Sequence, residues 1–104
     1  MRLGHVLQWQ GRFADAEKLF ESAIASADSI AAASPPGSPE HATATAMTAF
    51  GRQHFGKSRF DEGRYAEALE LFERALAIRL ASGDPADQVA SSRQAIVATR
   101  NRLA

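Results

Sequence analysis

The sequence has no cysteine, so disulfide bonds and thiolate metal sites are excluded, as suits a reducing compartment. It has no charge excess either: 12 lysines and arginines balance 12 aspartates and glutamates, leaving no net field to attract nucleic acid or an anionic membrane. No apolar run reaches the roughly 20 residues of a membrane span, and the N-terminus lacks a signal-like apolar stretch. We expect a soluble, cytoplasmic chain with no nucleic-acid or membrane partner.

Strand signals are also scarce. Valine, isoleucine and threonine are few, and no segment alternates apolar and polar residues as a half-buried strand does. Alanine, which has the highest intrinsic helix propensity, makes up about a fifth of the 104 residues. The composition therefore predicts an all-α fold in one domain, residues 1–104.

Glycine and proline interrupt this helical background at four places: Gly11, residues 34–39, Gly63 and residues 83–85. They divide the chain into about five helices. The predicted ranges are about 1–10, 14–33, 39–60, 65–81 and 85–103.

The helix ends carry capping signals. Ser38 followed by Pro39 predicts the start of the third helix, and Asp84 followed by Pro85 predicts the start of the fifth. Gly83 is placed to end the fourth helix in a left-handed conformation.

The sequence contains an internal repeat. The segment that begins at Gly11 returns 52 residues later at Gly63, with nine of fifteen positions identical and three more similar. Apolar residues recur in both copies at helical spacing, and the turns at the two glycines are too short for anything but an antiparallel helix pair. The repeating unit is therefore predicted to be a helical hairpin that stacks on its neighbour.

These residues resemble the tetratricopeptide repeat, whose pattern has Leu-Gly in the first helix, Gly and an aromatic residue at the turn, and small and aromatic residues in the second helix. The matching positions, which we expect to be structural, are Leu3, Gly4, Gly11, Phe13, Ala16, Phe20 and Ala23, then Phe55, Gly56, Gly63, Tyr65, Ala68, Phe72 and Ala75. The resemblance implies a short right-handed solenoid of stacked antiparallel hairpins. The long period is similar to that of repeats in kinesin light chains and bacterial regulators.

The resemblance also divides the chain. Residues 1–33 are expected to be a clipped first repeat, 34–38 a proline-rich loop, 39–83 a second repeat, and 84–104 a lone helix that begins a third. This pattern suggests a fragment of a longer array, or a small protein whose open ends are covered by something else.

No residue pattern indicates catalysis. His5, His41 and His54 lack the spacing that places two imidazoles on one helical face, so we expect no metal site. Asp61 and Glu62 sit at a tight turn where solvated acids are ordinary. We expect no catalytic residue, no cofactor and no enzymatic activity.

The resemblance implies instead a scaffold that binds a protein or peptide on the concave face formed by the first helix of each unit. Trp9 is the sharpest candidate because aromatic residues dominate binding hot spots, although Trp9 and Phe60 suit the core equally well. Arg59 stands where the family usually has a bulky apolar residue. The predicted partner-binding residues are His5, Gln8, Trp9, Phe50, Gln53, Lys57 and Phe60.

Two other interpretations stay open. In the first, the chain is a structural or oligomerisation segment of a longer array, which stacks on further repeats or on a second copy through its uncapped ends. Alternatively, Arg93, Arg100 and Arg102 make the last helix basic enough to contact nucleic acid, although arginines near a helix C-terminus also simply complement its dipole.

Overall fold

A computed structural model describes the backbone of residues 2–104 and the side chains from Arg12 onward. It contains four helices and, in the described range, no strand, which confirms the all-α prediction. The molecule measures 51 × 28 × 19 Å. The helices are α1 (Arg2–Ala33), α2 (Pro39–Asp61), α3 (Tyr65–Ser82) and α4 (Ala86–Leu103).

Each helix packs against the next one along the chain, and α2 also touches α4. The helix α2 therefore lies between α1 on one flank and α3 with α4 on the other. This packing of each helix on its sequence neighbour is that of stacked helical hairpins, as the repeat pattern predicts.

The turn predicted at Gly11 is wrong. The helix α1 continues through Gly11 without interruption, so the first two predicted helices are one and the chain has four helices rather than five. A glycine inside a helix costs only about 1 kcal/mol relative to alanine, so it permits a turn without enforcing one. Gly63 differs because the chain there turns back with a positive φ of 81°.

Two of the predicted helix ends are confirmed. The hydroxyl of Ser38 accepts a hydrogen bond from the His41 amide at 3.1 Å, with Pro39 in the first turn of α2. Gly83 ends α3 in the left-handed conformation, with φ of 67° and its N–H directed at the carbonyls of Arg79 and Leu80.

The cap predicted at Asp84 is wrong. The N-cap of α4 is Pro85, and no side chain caps this end. The Asp84 amide instead donates to the Arg79 carbonyl at 3.0 Å, so Asp84 still belongs to the end of α3. The extended Pro85, with ψ of 146°, then supplies the carbonyl that accepts from Gln88 and Val89.

The core is centred between α3 and its two neighbours. Ala68, Phe72 and Ile96 form its buried cluster, and Phe60 packs against it half-buried. Gly56 of α2 lies directly on the Phe72 ring, which lets the two helices approach closely.

Candidate binding surface

One side of α2 presents a row of side chains at helical spacing, which we call the α2 stripe: Met47, Phe50, His54 and Lys57. Three of them are exposed, and His54 is half-buried. Met47 and Phe50 are each 60% exposed. The Phe50 and His54 rings touch, with centroids 4.2 Å apart and planes inclined at 50°. The stripe thus combines two exposed apolar side chains with an imidazole and an ammonium group.

A groove between α2 and α4 continues from the end of this stripe. We call it the α2–α4 groove; its volume is about 270 Å³, and it is lined by Lys57, Phe60, Asp61, Phe72, Ala95 and Ala98. The small side chains of Ala95 and Ala98 leave the space open, while the Phe60 and Phe72 rings make the walls apolar. Lys57 belongs to both the stripe and the groove, so the two form one surface.

A buried polar network joins three helices beside this surface. The Ser92 hydroxyl of α4 donates to Oε1 of Gln53 at 2.8 Å and accepts from Nη1 of Arg79 at 2.9 Å. Arg79 also donates to the Gln88 carbonyl at 3.0 Å. Because Gln53, Arg79 and Ser92 are all buried, this network fixes α2, α3 and α4 relative to one another.

The charge of Arg79 has no counter-ion within residues 12–104. Its hydrogen-bond acceptors are a hydroxyl and a carbonyl, and its Nε is buried without any acceptor. Burial lowers the pKa of His54, and the nearby positive charges of Lys57 and Arg79 lower it further. The two side-chain charges that lower the pKa of His54 are therefore both positive.

The opposite side of α2 has a different character. Here a cavity of about 420 Å³ separates α1 from α3, and at its edge Arg59 pairs with Glu17 of α1, with Glu62 at 3.1 Å and with Glu67 of α3 at 3.2 Å. The guanidinium also lies 4.7 Å from the centroid of the Phe55 ring. Arg59 thus ties α1 and α3 to α2 through ion pairs on a buried side chain.

These contacts shift the pKa values of both Glu17 and Arg59. The hydrogen bond from Arg59 holds the pKa of Glu17 below its ordinary value. Burial alone would lower the pKa of Arg59, but its hydrogen bonds to Glu17 and Glu62 outweigh burial and raise it. Arg59 takes the place of the usual bulky apolar residue by combining an ion-pair network with stacking on Phe55.

The predicted partner-binding residues fall into three groups. His5, Gln8 and Trp9 have side chains outside the described residues. Phe50 and Lys57 are exposed on the α2 stripe, and Phe60 is half-buried in the wall of the α2–α4 groove. Gln53 is buried, and its amide oxygen accepts from Ser92 rather than facing solvent.

Met47, His54 and the buried Arg79 were not among the predicted partner-binding residues. Met47 and His54 lie three residues before and four residues after Phe50, so helical spacing indicates that they lie on the same side of α2 as Phe50. Arg79 carried no such signal, because its placement depends on how α3 and α4 pack together.

The repeat-motif residues are packed differently in the two copies. In the second copy Phe55, Gly56, Ala68, Phe72 and Ala75 are buried, Tyr65 is half-buried and Gly63 is exposed. In the first copy Phe13, Ala16 and Phe20 are only half-buried and Ala23 is exposed, while Leu3, Gly4 and Gly11 are among the residues whose burial is not described. The Phe20 ring stacks on Phe55 with centroids 5.6 Å apart, which joins the two copies.

Within the described residues, no group of three or more histidine, aspartate or glutamate side chains is arranged to hold a metal ion. The described helices also include none with the length and apolar character needed to cross a membrane.

The sequence matches the models of one known protein family. Tetratricopeptide repeat models match residues 1–27 and residues 59–86, together just over half of the chain, and the chain belongs to the tetratricopeptide repeat family. The second match includes the turn at Gly63 and helix α3, whereas the first spans Gly11, where α1 is continuous. Comparisons with curated proteins and with solved structures found no match. Repeats of this family are generally non-enzymatic scaffolds that mediate protein–protein interactions.

Proposed function

We propose that this protein is a non-enzymatic interaction module that binds a protein or peptide segment on the α2 stripe and the α2–α4 groove. The observation that supports it most directly is the exposure of Met47 and Phe50 on the same stripe as Lys57, which lines the apolar groove. Single exposed apolar residues are ordinary, but two on adjacent turns of a stripe that ends at a concave apolar opening form a surface that a partner can cover.

The other predicted residues contribute in distinct ways. Lys57 adds a charged group between the stripe and the groove, and Phe60 offers an aromatic wall. Gln53 acts indirectly, by holding Ser92 and thus the position of α4. His5, Gln8 and Trp9 remain candidates on the repeat pattern alone.

Quantitative affinity capture with matched variants tests this function. Phe50→Ala removes an exposed ring from the proposed surface, while Leu19→Ala removes a comparably exposed apolar side chain from α1. We expect the first variant to lose at least one partner that the wild type and the second variant both retain. Capture that is the same for all three proteins would contradict the proposal.

An alternative function is supported by a second apolar surface. A cavity of about 490 Å³ between α3 and α4 is lined by charged and apolar side chains, and the apolar ones include Leu80, 50% exposed, and Val97, 58% exposed. Open ends of stacked repeats expose such surfaces, so this end is a candidate for stacking on further repeats or on a second copy. In that case the chain is a structural segment with no separate ligand.

Light scattering separates the two functions. If the α3–α4 end associates with a second copy, molar mass rises with concentration and Val97→Ser reduces the rise. A monomer at every concentration would count against self-association without affecting the proposed peptide binding.

As part of the same proposal we assign the protein to the cytoplasm, because a chain without cysteine suits a reducing compartment. Subcellular fractionation checks this, and recovery in a secreted or membrane fraction would overturn it.

A further inference from the structure

We infer that the protein forms a two-fold dimer in which residues 2–10, the first turns of α1, cover part of α1 in a second copy of the chain. The covered part, which we call the α1 face, consists of Ala16, Phe20 and Ala23. This inference does not depend on the peptide binding proposed above. It also concerns a different surface from the α3–α4 end considered for stacking.

The two copies of the repeat differ in how completely this face is covered. Its three residues correspond, 52 positions further on, to Ala68, Phe72 and Ala75 of α3, which are 0%, 2% and 0% exposed. In the first copy two residues of the α1 face are only half-buried and the third, Ala23, is exposed. The same motif therefore leaves apolar surface uncovered on α1 that is fully covered on α3.

The neighbours of the two helices account for this difference. The helix α3 packs against both α2 and α4, whereas α1, within the described residues, packs against α2 alone. On α3 the covering residues belong to the second half of α2. Gly56 lies on the Phe72 ring, and Phe60 packs against the core cluster that includes Phe72. The first copy thus lacks a counterpart to this half of α2 on its own α1 face.

The sequence that corresponds to this half of α2 is the start of α1 itself. Gly4 corresponds to Gly56 by the same step of 52 residues. Residues 2–10 therefore occupy, in the repeat, the position of the segment that covers α3. The repeat pairs Gly4 with Phe20 as it pairs Gly56 with Phe72.

The continuous helix α1 cannot make this contact within one chain. It passes through Gly11 without a turn. Because an α-helix rises about 1.5 Å per residue, Gly4 and Phe20 lie roughly 24 Å apart along its axis. Residues 2–10 can reach the α1 face of a second copy instead, and that copy returns the same contact. Exchange of an identical element in this way is a low-cost route to a two-fold dimer, because each contact is one that the repeat already encodes.

The dimer gives a role to three of the predicted partner-binding residues. The segment that crosses to the second copy contains His5, Gln8 and Trp9. In this arrangement the partner of these residues is another molecule of the same protein.

Paired cysteines test the contact directly, because the chain has no cysteine of its own. Gln8→Cys combined with Ala16→Cys places the thiols at the counterparts of Phe60 and Ala68, and Phe60 packs against the core cluster that includes Ala68. Within one continuous α1 these positions lie roughly 12 Å apart along the axis, which is too far for a disulfide. A disulfide in this variant therefore reports a contact that the straight helix cannot make alone.

Each result of mild oxidation decides the inference. We expect a covalent dimer on a non-reducing gel. A disulfide within one chain would show that residues 2–10 fold back on their own helix, and free thiols would show that the segment and the face do not meet; either result overturns the dimer. Gln8→Cys combined with Ser29→Cys is the matched control, because Ser29 is exposed beyond the α1 face. Equal dimer formation by the control pair would indicate random collision and would also overturn it.

Two glycine variants of α1 test the same arrangement without cysteine. Light scattering should give the wild type twice the molar mass of one chain. Gly4→Leu keeps a good helix former but adds bulk against Phe20, so we expect it to raise the dissociation constant of the dimer at least about tenfold. Gly11→Ala should keep the dimer, because α1 is helical at that position. A monomeric wild type, an unchanged Gly4→Leu dimer or a dissociated Gly11→Ala protein would each contradict the exchange.

A third variant separates this dimer from association through the α3–α4 end. Val97→Ser changes an exposed residue of that end and should leave the α1 dimer intact. Loss of the dimer in Val97→Ser would assign self-association to the α3–α4 end and overturn the inference. The Phe50 capture comparison decides the proposed peptide binding whichever result is obtained here.

Discussion

Gly56 of α2 lies so close to Phe72 of α3 that a Cβ atom added at Gly56 would be 2.7 Å from Cε1 of the ring. Phe72 is 2% exposed and belongs to the core cluster, so its ring has little room to move. This contact explains why the repeat motif has glycine at this position: a methyl group would push the two helices of the second repeat apart.

Gly56→Ala is therefore expected to lower the free energy of unfolding by about 1–3 kcal/mol, as overpacking of a core does. Gly51→Ala is the matched control on the same helix. The Cβ added there meets Cγ1 of Ile24 at 2.9 Å, but Ile24 is a half-buried side chain that can adjust. Chemical denaturation measures both variants, and equal stability of the two would contradict the packing argument.

The comparison of these glycines shows what the sequence could predict about the fold. Gly63 and Gly83 were recognisable because both end a helix with positive φ, a conformation that other residues rarely adopt. Gly11 occupies the same place in the motif, but no local requirement forces a turn there, and the helix continues. Whether the chain turns at such a glycine depends on the surface against which the preceding segment packs. The spacing of residues along the sequence does not determine that surface.

The candidate surface was predictable to a similar extent. Phe50 and Lys57 were expected at the surface from the tetratricopeptide resemblance, and both side chains are exposed on α2. The burial of Gln53 and its link to Arg79 through Ser92 were not predictable. They require the relative rotation of α2, α3 and α4, which is decided by packing over the whole interface.

Arg59→Ala is expected to destabilise the protein by about 2–3 kcal/mol. The change removes the ion pairs to Glu17, Glu62 and Glu67, leaves three carboxylates near one another, and uncovers the Phe55 ring. The expected loss of stability is no larger because the three glutamate side chains are partly exposed to water.

Arg74→Ala provides the control for Arg59. Arg74 is 62% exposed and faces Glu70 at 3.5 Å across one helical turn of α3, so its removal should cost less than about 0.5 kcal/mol. Thermal and urea unfolding compare the two variants. If Arg59→Ala is no less stable than Arg74→Ala, the buried ion pairs do not stabilise the fold.

Ser92→Ala tests the buried network between α2, α3 and α4. It leaves Oε1 of Gln53 without its donor and takes one acceptor from Arg79, so we expect a loss of about 1–3 kcal/mol. Ser91→Ala, at the exposed neighbouring position, should change stability by less than about 0.5 kcal/mol. Indistinguishable unfolding curves for the two variants would show that the network adds nothing to stability.

Lys57→Gln is expected to raise the pKa of His54 towards its ordinary value, because it removes one of the two positive charges that lower it. Burial and Arg79 remain, so the rise should be partial. An NMR titration of the His54 ring measures the change, and Lys18→Gln on α1 should leave the pKa of His54 where it is in the wild type.

The same shift sets the sign of a pH effect on stability. Because the pKa of His54 is lower in the folded protein, the unfolded chain binds the proton more readily. The stability that this residue contributes is therefore present above the ordinary pKa of 6.5 and is lost as pH falls through the folded value. Lys57→Gln should make this acid-induced loss smaller. A wild-type stability that rises on acidification from pH 7 would show that this histidine does not control the profile.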